Sequence, residues 1–114
     1  MKLLYEKETP FYEMANIRSK HTGLPMVIWI QPKIGNEKHW ARIKVSKVYG
    51  DKVSDSLFIV TIENEPKVIG ETGNILLQDI SKVLDFVKLN KDLLLKYWND
   101  DIDVADVLQQ LKKI

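Results

Sequence analysis

The hydrophobic period of this chain changes once, near Gly73, and that change restricts the fold more than any other feature. Before it, the chain reads as strands, alternating at residues 40–49 and continuously apolar at 57–62. "WARIKVSKVY", residues 40–49, puts Ala41, Ile43 and Val45 on one side and Trp40, Arg42, Lys44 and Ser46 on the other, as a half-buried strand requires. "GLPMVIWIQPK", residues 23–33, reads as a second strand over Met26–Ile30, with Pro25 and Pro32 at its ends, where no ladder hydrogen bond is needed. An antiparallel pairing of these two segments can place Met26, Ile28 and Ile30 beside Ala41, Ile43 and Val45 only if the paired residue numbers sum to an odd value. Such a register moves Trp29 to the side that carries Trp40, Arg42 and Lys44.

"FYEMANIRSK" supplies a first strand, "LFIVTI" at 57–62 a further one and "KVIG" at 67–70 a last short one. The connections "KIGNEKH", "GDKVSDS" and "ENEP" are too short for crossover helices, so the sheet is expected to be antiparallel. Past Gly73 the spacing becomes helical. Ile80, Val83, Leu84 and Val87 share one stripe, with Asp79 as an N-cap or first-turn acid; Leu94, Tyr97 and Trp98 continue it, with or without a break at Asn90. Val104, Val107, Leu108 and Leu111 form a last stripe, opened by Asp103 as N-cap and closed by Lys112 and Lys113 at the negative end of the helix dipole. The expectation is one α+β domain over residues 1–114: an antiparallel sheet of four or five strands, then two or three C-terminal helices packed on one face.

With 114 residues, 45% of them hydrophobic and 29% charged, the chain can bury a core of its own. Lack of cysteine excludes disulfides, thiolate chemistry and cysteine zinc sites, and suits a reducing compartment; the cytoplasm is the expected location. "MKLLYEKETP" returns to charge after a short apolar run and no later stretch reaches membrane-spanning length, so neither export nor a membrane partner is expected. No cofactor is expected either, since no phosphate loop, nucleophile elbow, HExxH or dinucleotide fingerprint occurs. The acids of "NDDIDVAD" lack the glycine and terminal glutamate of a calcium loop and suit helix capping, and no metal is assigned to them.

The charges are uneven. Residues 1–50 carry nine Lys and Arg against four Glu, and residues 51–114 carry eight Lys against twelve acids. From Met14 to Gly50, Arg18, Lys20, Lys33, Lys38, Arg42, Lys44 and Lys47 face a single acid, Glu37, with Trp29 and Trp40 interleaved. Cations that neutralise phosphates beside aromatics that stack on bases are what single-stranded nucleic acid requires. A solvated outer sheet face, its cations discouraging edge pairing, accounts for the same pattern. Trp29, His39, Trp40, Arg42 and Lys44 are therefore the candidate binding face, for a nucleic acid or an acidic protein. Its catalytic counterpart is a metal-independent ribonuclease with His39 as base and Arg42 and Lys44 steadying the phosphorane. His21 lies in the same basic part and has no carboxylate at a metal-ligand spacing. Finally, Leu93, Leu94, Leu95, Tyr97 and Trp98 cannot all face one core, so a C-terminal helix, a second copy in a homodimer or another protein must cover part of "LLLKYW".

"NIRSKHTGLPMVIWIQPK", "HWARIKVS", "PKVIG", "LDFVKLNKDLLLKYW" and "DVLQQLKKI", in this order over residues 16–114, resemble a group of small uncharacterised bacterial proteins. Their pattern is GLPxxIWI, a histidine shortly before R-[IV]-KVS, and LNxxxLxxYW. More distantly, "ISKVLDFVKLNKDLLLKYW" is similar to the end of a family of domains of unknown function associated with toxin–antitoxin operons. That family carries a two-histidine strand, roughly PHFHV; the matching "KHWARIKV" keeps His39 and lacks the second histidine. The resemblance implies a bacterial cytoplasmic domain and names no catalytic residue.

Overall fold

The computed structural model describes residues 14–33 and 40–114. Five strands, β1 (Ala15–Ile17), β2 (Met26–Ile30), β3 (Arg42–Tyr49), β4 (Leu57–Thr61) and β5 (Val68–Ile69), pair antiparallel in chain order, and helices α2 (Leu77–Leu89), α3 (Lys91–Trp98) and α4 (Val104–Gln110) follow. A single turn of helix, α1 (Ser19–Thr22), joins β1 to β2 and ends at Gly23, whose φ of 79° suits a residue without a Cβ. The fold is thus the expected α+β arrangement. Residues 11–13 of the proposed first strand lie outside the described residues, and β1 occupies only its centre.

The β2–β3 register has the expected parity, with Ile28 opposite Val45 and Trp29 opposite Lys44. Ile17, Ile28, Val45 and Phe58 consequently line up across four strands on the side that the helices cover. Ile80, Val83, Phe86, Val87, Leu94, Trp98 and Val107 complete that core. Each such side chain removed from water contributes about 1.5–3 kcal/mol, which is why the helices lie on this side only.

The ladder is broken between Met26 and Ile28. Met26 pairs with Tyr49 although Ile28 pairs with Val45, so Val27 faces three β3 residues. Ser46 fills the break: Val48 N–H donates to its Oγ at 3.1 Å, and Oγ donates to the Val48 carbonyl at 3.2 Å. Beyond the break Tyr49 reaches the start of α2. Its hydroxyl accepts from Leu76 N–H (2.9 Å) and donates to Asp79 Oδ2 (2.6 Å). Asp79 is therefore a first-turn acid, while the N-cap position belongs to Leu76. The hydrogen bond to Asp79 raises the Tyr49 pKa above its ordinary value.

Asn90 separates α2 from α3. On α3 Leu94, Tyr97 and Trp98 are buried while Leu93 and Leu95 are half-buried, and α4 packs against this helix. The acid cluster is used in helix ends. Asp100, at φ 64°, terminates α3, and Asp103 and Asp106 form a reciprocal capping box at α4 (3.0 and 3.1 Å). Lys112 and Lys113 are not in the last turn of α4, which ends at Gln110. Leu111 is already extended, and the Lys112 backbone pairs with the Asn90 side chain instead.

Candidate anion-binding surface

Strand alternation carries Asn16, Trp29, Lys44, Ile59 and Ile69 in one row across the outer face of the sheet. Among the described strand residues, Arg42 and Lys44 of β3 are the cations of this face; its neighbours bring Val27, Trp29, Leu57 and Ile59. The face is mixed, and its centre is covered. Trp29 is 8% exposed and Val27 is fully buried.

Trp40 has a different setting. It precedes the first residue of β3, so the alternation of the strand does not govern it, and it is 62% exposed. It lines an open cleft of about 490 Å³ at the end of the sheet, where Lys33, Ile62, Lys91 and Trp98 also lie. Two backbone contacts fix this corner. Lys33 N–H donates to the Trp98 carbonyl at 2.6 Å, and Ile62 N–H to the Ala41 carbonyl at 2.9 Å. Arg42 Nε donates to the Trp40 backbone carbonyl at 3.2 Å.

Trp40 and Lys33 thus line the cleft, Arg42 is bonded to the Trp40 backbone beside it, and Trp29 and Lys44 lie together farther along the outer face. His39 lies outside the described residues, so the ribonuclease expectation acquires no geometry. His21 is half-buried in α1. Among the described residues, Lys33, Arg42 and Lys44 enter no ion pair, and no group of three or more acidic or histidine side chains is placed to hold a metal. Lys91 is paired with Asp92 at 3.0 Å, and Glu63 is the acid on the cleft wall.

The segment between β3 and β4 has a part that its local sequence does not signal. Ser19 N–H donates to Asp51 Oδ1 (3.1 Å), and Arg18 Nη1 to the Asp51 carbonyl (2.9 Å). The Ser19 backbone hydrogen bond, with its hydroxyl and the charges of Arg18 and Lys20, holds the Asp51 carboxyl below its ordinary pKa. This clamp draws residues 51–56 back over the outer face, where Val53, Ser54 and Asp55 come above Trp29. Their partners are about 30 residues away, beyond the reach of any periodic signal.

The chain matches no protein-family model, no curated protein and no solved structure. The class that the fold itself defines is an α+β domain, an antiparallel five-stranded meander with three helices packed on one face. Among the described residues no helix is long and apolar enough to cross a membrane.

Proposed function

We propose that this protein is a non-enzymatic binding module that takes a single-stranded nucleic acid on Trp40 and the cations beside it. The supporting observation is the setting of Trp40: an indole 62% exposed, with Arg42 bonded to its own carbonyl and Lys33 across the same cleft, both cations free of ion pairs. An exposed indole with two cations near it, neither in an ion pair, suits a base on the ring with phosphates beside it.

The test is a titration of a labelled single-stranded RNA or DNA oligonucleotide at several salt concentrations. Neutralising about two or three phosphates gives a log–log salt slope between about −1.4 and −2.1, at roughly −0.7 per phosphate. Trp40→Ala weakens binding about 5- to 150-fold, the worth of one stacked base. Lys33→Ala and Arg42→Ala weaken it and flatten the slope. No binding at low salt, or equal binding by Trp40→Ala, overturns the reading. Competition by polyglutamate without any loss in Trp40→Ala would transfer it to an acidic protein.

A further inference from the structure

The part of the chain after residue 50 is acidic as a whole, yet its lysines are not spread evenly. Of its eight lysines, five are Lys88, Lys91, Lys96, Lys112 and Lys113. All of these but Lys113 line one recess of about 300 Å³, where the end of α2, the start of α3 and the chain after α4 meet. Asp92 is the acid among them, so four cations face one anion.

Helix electrostatics does not account for this grouping. Lys88 suits the negative end of α2, but Lys91 is the first residue of α3, at the end of a helix that favours anions. Asp92 and Lys96 have the four-residue spacing and the order that favour a pair along α3, and the structure does not form it. Asp92 pairs with Lys91 instead, at 3.0 Å. Among the described residues Lys88, Lys96 and Lys112 enter no ion pair. The fold nevertheless holds these like charges around one recess, because the buried Asn90 side chain bonds both backbone groups of Lys112 and ties that residue to the α2–α3 junction. An anion bound there offsets their repulsion.

We propose that this recess binds a small molecule carrying two or more linked phosphates. A surplus of three positive charges calls for a multiply charged anion, and a volume at the lower end of small-ligand sites calls for a compact one. Lysine meets phosphate as a point charge, and no arginine, whose planar fork matches a carboxylate, lines the recess. The recess shares Lys91 with the Trp40 cleft and none of its other cations, so the two readings stand or fall separately.

The experiment is a calorimetric titration of the full chain with pyrophosphate at physiological ionic strength, with citrate as a carboxylate probe of comparable charge. Pyrophosphate binds and citrate binds more weakly. Lys88→Gln and Lys112→Gln, both at exposed positions, each weaken pyrophosphate binding about tenfold, the worth of one charge-assisted hydrogen bond. Lys52→Gln, which removes the same charge from the segment between β3 and β4, leaves it unchanged. No binding of pyrophosphate, unchanged affinity in the Lys88 and Lys112 variants, or an equal loss in Lys52→Gln overturns the proposal; citrate binding as tightly as pyrophosphate overturns the assignment to phosphate.

Discussion

Replacing Asn90 by Ala tests how the helical layer is tied together. The Asn90 side chain is 3% exposed and makes three hydrogen bonds: Nδ2 donates to the Phe86 carbonyl (3.1 Å) and the Lys112 carbonyl (3.0 Å), and Oδ1 accepts from Lys112 N–H (2.9 Å). Phe86 keeps a partner in the variant, because Asn90 N–H also donates to its carbonyl at 3.0 Å. Lys112 loses both of its bonds. At about 1 kcal/mol net for each, with a further small penalty for part-buried groups left unpaired, the cost is about 2–3 kcal/mol. Unfolding entropy near 2.1 cal/mol/K per residue gives about 240 cal/mol/K for a chain of this size, so the melting temperature falls by about 8–12 °C. Thermal unfolding followed by circular dichroism measures this, and hydrogen exchange at the Lys112 amide accelerates in parallel. Asn90→Asp refines the test, since an ionised carboxylate keeps the acceptor for Lys112 N–H and loses both donors in a buried site. Burial raises the pKa of that carboxyl in the folded state, so stability is recovered at low pH and lost as pH rises through the folded value. An Asn90→Ala protein within about 0.5 kcal/mol of wild type, with unchanged Lys112 exchange, would show that the tie is not structural.

Gly23→Ala meets two obstacles, the positive φ of 79° and the Ile114 carbonyl oxygen, which a Cβ would strike. A loss of about 2 kcal/mol or more in denaturant unfolding is expected, and a neutral substitution would contradict the close approach of these segments. Asp51 has a folded pKa below its unfolded one, so its contribution is complete above the ordinary carboxylate range and disappears as pH falls through the folded value. The stability difference between wild type and Asp51→Asn, measured by urea unfolding, is therefore constant around neutrality and closes in acid; a difference independent of pH refutes the clamp. Asp103→Ala removes one half of the capping box and costs about 1 kcal/mol in thermal stability. An unchanged melting curve would show that α4 is held by Val107 burial alone.

The faces of the sheet were legible because β3 alternates without interruption, and a buried face admits only one parity of register. The break opposite Val27 was not. A serine whose hydroxyl closes a local backbone loop looks in sequence like any outward polar residue, and Ser46 differs from one only in being fully buried. Likewise α1 is a single turn, too short to display a helical period, with Gly23 as its sole local mark. Lys112 and Lys113 suited a helix end by charge. The dipole contribution of such a residue is below about 1 kcal/mol at an exposed site, and two hydrogen bonds from a buried side chain 22 residues away outweigh it.

Alternation also brought Trp29, Arg42 and Lys44 to one side correctly, yet it could not tell which aromatic is open. Periodicity is a property of a strand, and Trp40 stands before the strand begins, at a corner set by Lys33 and Trp98. Trp29 is inside the strand, but its exposure depends on a loop drawn over it by Asp51, whose partners Arg18 and Ser19 sit on the far side of β2 in sequence. Composition placed cations and indoles in the same part of the chain; tertiary hydrogen bonds divided them into an open pair and a covered pair. Of the three tryptophans Trp40 is the exposed one, and base stacking requires exposure. Trp29, by contrast, is covered, and its buried indole N–H has no hydrogen-bond partner among the described residues.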